Sequence, residues 1–167
     1  MLSISIADQD SAPALAALHT HVADHLTARN GRGPWSALTT ENGVLMGLRL
    51  SRVLVARDGK TIVGTLRLQS KKPWAIDPSY FTPVKKPLYL THMAVIPAMQ
   101  RQGIGQLLLD EAVKQVKAWP AQAIRLDAYD HAAGAGGFYA SCGFSERGHV
   151  TYRDAPLVYF ERVFKPE

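Results

Sequence analysis

The feature that most constrains the fold of this chain is an apolar strand that leads through a glycine-containing turn into an amphipathic helix. The strand is predicted over residues 88–96, and the helix over residues 103–119, where apolar residues step by three and four. Between them lies the segment QRQGIG, residues 100–105. The first turn of a helix leaves backbone N–H groups without partners, and glycine lets a ligand approach the backbone closely. The segment therefore predicts a phosphate site, although a tight connection without a ligand fits the spacing equally well.

Two common phosphate-binding motifs are absent from the sequence. The chain has no G-x-x-x-x-G-K-[ST] segment, which excludes a P-loop. The dinucleotide-binding pattern G-x-G-x-x-G would require a third glycine at position 108, where the chain has Leu108. A phosphate site at this turn therefore belongs to another class.

The rest of the chain is predicted to alternate strands with helices and to form hairpins. A helix follows Ser11, and Asp58-Gly59 is a strong hairpin signal. The long segment 70–87 carries four prolines and is predicted to be a loop. This order of elements favours an α/β fold, a mixed sheet with helices on both faces. Further strands are predicted over residues 2–7, 52–56, 61–68, 123–129, 144–147 and 157–163, and further helices over residues 35–50 and in a short segment ending at Ser141.

Composition limits the class of protein. The 167 residues predict a single domain, 1–167. The single cysteine, Cys142, excludes a disulfide framework and a cysteine-rich zinc site, and we expect no metal. No apolar run is long enough to span a membrane and the start does not resemble a secretory signal, so we expect a cytoplasmic protein with no membrane partner. The net charge of +5 suits a phosphorylated cofactor, whereas the scattered basic residues carry no nucleic-acid recognition motif, and nucleic acid is not an expected partner.

Two motifs together resemble the GNAT family of N-acetyltransferases. The pattern Gln100-x-x-Gly103-x-Gly105, between a strand and a helix, is similar to the family's acetyl-coenzyme A signature. The segment FYASCGF, residues 138–144, is similar to its second signature, F/L-Y-x-x-x-G-F. The resemblance covers nearly the whole chain. It implies the GNAT fold, a mixed and mostly antiparallel sheet of six to seven strands that splays at the middle, with about four helices on both faces.

The resemblance also implies the activity and the donor. The chain is expected to transfer acetyl from acetyl-coenzyme A to a primary amine by direct attack in a ternary complex, with no metal. The backbones of Met93 and Val95 would pair with the pantetheine amides, and the turn would hold the pyrophosphate. The residues that the resemblance places at the cofactor are Met93, Ala94, Val95, Gln100, Arg101, Gln102, Gly103, Ile104, Gly105, Gln106, His131 and Tyr139.

Tyr139 matches the tyrosine that acts as general acid in the family, because sulfur leaves the thioester with negative charge and a phenol can donate a proton to it. The alternative is a core tyrosine that packs beneath the cofactor. The general base is not assigned. Counting back along the strand, His92 falls on the face opposite Thr91 and is interpreted as a structural histidine. The remaining candidates for the base are Glu41, Asp77, Asp127 and His131.

The acceptor is expected to be the amine of a small molecule, with a peptide amine as the other option. In the family, the region between the first two helices and the loop before the signature strand select the acceptor. The residues at these places are Trp35, Trp74, Tyr80, Tyr89 and Thr91, whose aromatic rings suit an apolar or cationic acceptor or serve ordinary packing. Dimers are common in the family, so a homodimer is one expected state. A different function is also open, an acyl-coenzyme A sensor of the same fold without efficient catalysis.

Overall fold

The computed structural model describes residues 1–164 of this chain. Its seven strands are ordered β1-β2-β3-β4-β5-β7-β6. The α/β fold class, a mixed open sheet with four helices in the described residues, is confirmed. None of these helices has the length and apolar character needed to cross a membrane. In chain order the elements are β1 (Leu2–Ile6), α1 (Ala12–Asn30), α2 (Glu41–Leu50), β2 (Arg52–Asp58), β3 (Thr61–Gln69), β4 (Pro87–Val95), α3 (Ile104–Ala118), β5 (Ala123–Tyr129), α4 (Gly136–Ser141), β6 (Ser145–Tyr152) and β7 (Ala155–Val163).

The backbone divides into two compact units. The first comprises Met1–Leu68 and His92–Ala112, and the second comprises Gln69–Thr91 and the chain from Val113 onward. Strand β4 and helix α3 each contribute residues to both units. That the chain acts as a single domain, residues 1–167, stays a prediction.

In the first unit, helices lie on both faces of the sheet. Helices α1 and α2 pack on β2 through a core that includes Leu15, Val44 and Val55, all buried. On the other face, a Cβ added at Gly64 of β3 would lie 3.1 Å from both Ile104 and Leu108 of α3. A larger residue would press on these two side chains, so glycine favours the close approach of α3 to β3. The chain entering α3 is therefore held directly against the sheet.

In the second unit, β5, β7 and β6 form antiparallel ladders, and β4 joins β5 in parallel. The β4–β5 ladder is short. It pairs Pro87, Leu88 and Tyr89 with Ala123, Ile124 and Arg125, although β4 itself continues to Val95. Because only the first three residues of β4 pair with β5, the two strands are not joined along the rest of β4, as in an open sheet.

The second helix is shorter than predicted. It begins at Glu41, where the Thr40 hydroxyl accepts a hydrogen bond from Gly43 N at 3.0 Å and caps the first turn. The predicted start at residue 35 falls instead in a separate 3-10 turn, Pro34–Ser36, in which Gly33 N donates to the Ser36 hydroxyl at 3.1 Å. Apolar periodicity alone could not show that the 3-10 turn and α2 are separate elements.

The last hairpin also differs from the prediction. The sequence predicts strands over residues 144–147 and 157–163, whereas β6 runs on to Tyr152 and β7 already begins at Ala155. Arg153 and Asp154 connect them with φ angles of 48° and 65°. Two left-handed residues fit the primed turns that join twisted strands, yet neither residue is the glycine or asparagine that usually signals such a turn.

The loop between β3 and β4 is anchored by a buried carboxylate. Glu161 of β7 is 3% exposed, and Thr82 N lies 3.2 Å from each of its two oxygens. The Thr82 hydroxyl also donates to this carboxylate, and Arg147 Nε approaches it at 3.4 Å. The Thr82 carbonyl in turn accepts from Arg125 Nη2 at 2.8 Å. The loop thus has a fixed path at its centre.

We expect Glu161→Ala to destabilise the chain by about 3–5 kcal/mol, because it leaves buried donors and cationic side chains without their partner. Urea unfolding measures this loss, and amide exchange of Phe81 and Thr82 should accelerate. Glu146→Ala is the matched control, since that carboxylate on β6 is 53% exposed and pairs only with His149 at the surface. An equal loss in both variants would contradict the anchoring role.

Candidate functional site

The turn between β4 and α3 presents five consecutive backbone N–H groups that no residue in the described part of the chain accepts. Residues Pro97–Met99 form a 3-10 turn, and Met99 N donates to Ile96 O at 3.0 Å. In the part of the chain that the structure describes, no acceptor takes up the N–H groups of residues 101–105. Unsatisfied N–H groups at the start of a helix attract anions. The structure thus places a row of donors where the sequence predicts a phosphate site.

Two left-handed residues shape this turn. The φ angle is 63° at Arg101 and 86° at Gly103. A Cβ at Gly103 would meet nothing within 4 Å, so the backbone conformation and not the available space favours glycine there. Left-handed residues in a tight turn point successive N–H groups to one side and make a concave anion site. The Arg101 side chain is exposed beside it.

Glutamine side chains brace the same turn. Gln100 Nε2 donates to Val95 O at 3.0 Å, and Gln102 Nε2 donates to Ala98 O at 3.3 Å. Within α3, Gln106 Nε2 donates to Asp110 Oδ1 at 2.9 Å. The Gln100 amide links the turn to Val95 at the end of β4, and the Gln102 amide closes a contact within the turn. Both side chains therefore hold the backbone of the turn. The Gln100 N–H itself donates to Pro97 O at 3.3 Å.

The end of β4 is partly occupied by this bracing. Met93 and Val95 are half-buried and Ala94 is buried, with the Ala94 carbonyl 3.4 Å from a Cβ built on Gly64. Because a carbonyl has two lone pairs, Val95 O can still accept a second hydrogen bond. The predicted backbone pairing with a pantetheine arm stays a prediction at these residues.

Tyr139 of α4 is 6% exposed and packed among aromatic rings. The rings of Phe138, Phe144 and Phe160 lie 5.4, 5.8 and 6.1 Å from it between centroids. Burial raises the pKa of the Tyr139 hydroxyl, and the charges of Asp127 and Cys142 raise it further. Among the described residues, none hydrogen-bonds this hydroxyl. Tyr139 is thus a neutral phenol within an aromatic cluster, and its contact with a cofactor stays a prediction.

The segment before α4 owes one glycine to a close backbone contact. A Cβ at Gly134 would lie 1.9 Å from Tyr129 O, so no side chain fits there. In contrast, Gly137 has open space around it. Next to this contact, the predicted cofactor residue His131 is exposed, and its Nδ1 accepts from Ala133 N at 3.0 Å. The imidazole therefore shapes the turn through that nitrogen.

The predicted acceptor residue Trp35 serves the local turn. Its indole Nε1 donates to Gly31 O at 2.9 Å, and its ring covers Gly33, where a Cβ would lie 2.5 Å from Cζ2. The ring is half-buried. A contact with an acceptor stays a prediction.

The other four predicted acceptor residues lie in the second unit and differ in exposure. Trp74 is 84% exposed, and Tyr80 is 38% exposed with its ring edge against Tyr159 at 5.3 Å. Tyr89 belongs to the core at 4% exposure, and its hydroxyl accepts from Arg125 Nη1 at 3.2 Å. The Thr91 hydroxyl is buried and has no hydrogen-bond partner in the described chain. Tyr89 therefore offers little surface to a ligand, whereas Trp74 and Tyr80 remain accessible.

Sequence reasoning missed a group of cationic and imidazole side chains in the first unit. His19 of α1 and His92 of β4 have ring centroids 6.1 Å apart, at an angle of 78°. Arg67 of β3 is only 9% exposed, and its guanidinium lies against Gly47 of α2. Burial, together with the smaller effect of the Arg67 charge, lowers the pKa of both histidines to about 4. Both rings are therefore neutral at pH 7.

His92 packs its ring edge-on against His19, and no described residue forms a hydrogen bond to it. Its φ angle of 54° interrupts the alternation of β4, so counting from Met93 does not give the direction of its side chain. The ring is therefore not satisfied by a hydrogen bond, and its interpretation as a structural histidine stays a prediction. A charged residue within an otherwise apolar strand, Arg67 in TIVGTLRLQ, was the signal that could have revealed the group.

Other candidate bases and metal ligands are less suggestive. Ser79 holds Asp77 through its hydroxyl and its N–H, which lowers the pKa of that carboxyl and makes it a poor base. Burial raises the pKa of Asp127. No group of three or more metal-ligating side chains occurs within residues 1–164.

Comparisons with known proteins agree with this geometry. The family profile described as "Acetyltransferase (GNAT) domain" matches residues 49–146. No curated protein sequence matches the chain.

Solved structures share the fold at low sequence identity. A ribosomal-protein-alanine N-acetyltransferase from Brucella melitensis has 20% identity, a TM-score of 0.74, and coverage of 97% of this chain and 99% of that one. The acetyltransferase yncA from Salmonella typhimurium, solved with acetyl-CoA, has 16% identity, a TM-score of 0.73, and coverage of 99% and 95%. The paia N-acetyltransferase from Thermoplasma acidophilum, solved with coenzyme A, has 16% identity, a TM-score of 0.74, and coverage of 98% and 99%.

The lowered pKa values of His19 and His92 predict a pH-dependent stability. Both groups have folded pKa values of about 4, below the ordinary 6.5, so the unfolded chain binds protons first as the pH falls. We expect the free energy of unfolding to fall by about 1–3 kcal/mol between pH 6.5 and pH 4 from these groups, after discounting for solvent at His92. Urea unfolding across this range measures it. The variant H19Q/H92Q should lose this slope, while the exposed-site control H21Q should retain it.

Proposed function

The chain belongs to the GNAT family of acetyltransferases, and we propose that it moves acetyl from acetyl-coenzyme A to the primary amine of a small molecule or peptide, by direct attack in a ternary complex. The observation that carries the proposal is the row of unpartnered N–H groups over residues 101–105. Solved relatives of the same fold contain acetyl-CoA or coenzyme A, which supports the choice of donor.

The turn fits a diphosphate by number and by charge. Each hydrogen bond to a charged group contributes roughly 1.5–3 kcal/mol, so several converging donors exceed the helix dipole, which adds about 0.3–1 kcal/mol. The glutamine braces fix these donors before a ligand arrives. Arg101, exposed at the turn, adds a cation.

Tyr139 is proposed as the donor of a hydrogen bond to the departing sulfur. The thioester supplies an activated acetyl group, and sulfur acquires negative charge as the amine attacks. Since the pKa of Tyr139 is raised, the phenol stays protonated across the working pH range and can stabilise that charge. The absence of a hydrogen bond to its hydroxyl from any described residue leaves the O–H free for this role.

The acceptor amine must lose a proton before or during attack. A lysine-like amine has a pKa of about 10.4, so its neutral form costs about 4–5 kcal/mol at pH 7. The neutral imidazole of His92 is a candidate to pass this proton to water. Because its pKa is low, the imidazole would pass the proton on to water and would not retain it.

Gly103→Ala should weaken coenzyme A binding about tenfold or more. The left-handed φ of 86° costs alanine about 1–2 kcal/mol, and relaxation of the turn would redirect its N–H groups. Isothermal titration with coenzyme A measures the affinity. Gly59→Ala is the control because Gly59 has a φ of 61°, also has open space around it, and lies in the β2–β3 hairpin. Equal weakening in both variants would argue against the turn as the phosphate site.

Tyr139→Phe should lower kcat by roughly 10- to 100-fold, with little change in coenzyme A affinity, because only the proton donor is lost. Free-thiol release over an amine panel measures the rate, and Tyr152→Phe serves as the control. An unchanged kcat would assign Tyr139 to packing alone. Coenzyme A binding by the unmodified chain without turnover on any amine would favour the sensor function.

A further inference from the structure

The guanidinium of Arg67 is buried without a countercharge. It extends from β3 against the backbone of α2, so that a Cβ on Gly47 would lie 2.3 Å from Nη1 and 2.5 Å from Cζ. Arg67 is 9% exposed. No carboxylate and no hydrogen-bond acceptor in the described chain pairs with it, and its pKa is lowered by desolvation with no acidic group raising it.

An arginine in this setting is costly to the folded chain. Guanidinium stays protonated in proteins, and a buried ion without a partner loses hydration that nothing returns. The surrounding titratable groups do not compensate, since His19 from α1 and His92 from β4 are neutral at pH 7. A bound anion would therefore give the Arg67 guanidinium the electrostatic partner that the described residues do not supply.

The place of Arg67 separates it from the phosphate turn. The Val63 carbonyl accepts from Ile96 N at 2.9 Å, just before that turn begins. Arg67 lies four residues further along β3, roughly 13 Å away at the usual strand rise. Its side chain points to the α1–α2 face, whereas Gly64 faces α3. The diphosphate of a donor bound at residues 101–105 cannot reach it.

We propose that Arg67 binds a carboxylate of the acceptor, so that the substrate class is amines that also carry a carboxylate, such as amino acids. This inference rests on the proposed function. The planar guanidinium fork pairs with a carboxylate through two parallel hydrogen bonds, which a lysine could not do. The imidazoles of His19 and His92 are in contact with each other and near enough to Arg67 for its charge to lower the pKa of both.

The test compares each amino acid with the amine obtained by removing its carboxylate. Thiol release from acetyl-coenzyme A gives kcat and KM for both members of each pair. We expect at least one amino acid to have a kcat/KM roughly 10- to 100-fold above that of its matched amine. A consistent preference for the amines would overturn the proposal. Aminophosphonates of the same side chains form a third arm, and their preference over carboxylates would also overturn it.

Variants locate the effect. Arg67→Gln should raise KM for the amino acid about tenfold or more, and should abolish the preference for the amino acid over its matched amine. Gly47→Ala keeps the charge but displaces the guanidinium, so it should raise the same KM even if Arg67→Gln folds poorly. Arg49→Gln removes an exposed cation from α2 and should change neither constant. An unaltered KM in both Arg67→Gln and Gly47→Ala would sink the assignment.

Two further readouts keep this inference distinct from the proposed function. Coenzyme A binding, measured by titration, should be equal in Arg67→Gln and the unmodified chain. Imidazole NMR signals of His19 and His92 should shift on adding the amino acids, and the shift should vanish in Arg67→Gln. If no amine is acetylated, a shift lost in the variant still supports the anion site, whereas no shift in the unmodified chain overturns it.

Discussion

Hydrogen-bond donors left open by the backbone are the constraint on which this structure depends. Five consecutive N–H groups at the start of α3 have no acceptor in the described chain, and the fold keeps them open instead of letting the turn collapse. Left-handed residues set their direction, the Gln100 side chain ties the turn to β4, and the Gln102 side chain braces it internally. A backbone N–H that is removed from water without an acceptor costs free energy. These donors are therefore stable only when they contact water or a bound anion.

The first unit therefore contains two positive regions of different origin. At the turn, the charge comes from backbone dipoles and one exposed arginine. Near α2, it comes from a single buried guanidinium beside two neutral imidazoles. Burial explains both the neutrality of the histidines and the strength of the remaining cation, since a low dielectric penalises every charge that has no partner.

Local patterns predicted the parts of the fold that depend on local physics. The strand, the glycine turn and the helix after it follow from hydrophobic spacing and from the N–H groups of a helix start, and the FYASCGF segment placed Tyr139 in a short helix. The parts that failed depend on contacts distant in sequence. A left-handed φ at His92 interrupts the alternation on which the sequence count relied, and no periodicity records it. The isolation of Arg67 could not be predicted, because it depends on which side chains α1, α2 and β4 bring to it.

The close approach at Gly64 has a consequence for the timing of ligand capture. With no side chain on that residue, Ile104 and Leu108 pack close to the strand backbone, which limits how far the start of α3 can shift. Because the start of α3 is held in this way, it has little conformational entropy to lose when a ligand binds. Association with an anionic partner should then proceed as a single encounter, with a rate set by diffusion and by salt-dependent attraction, and with no slower rearrangement after it.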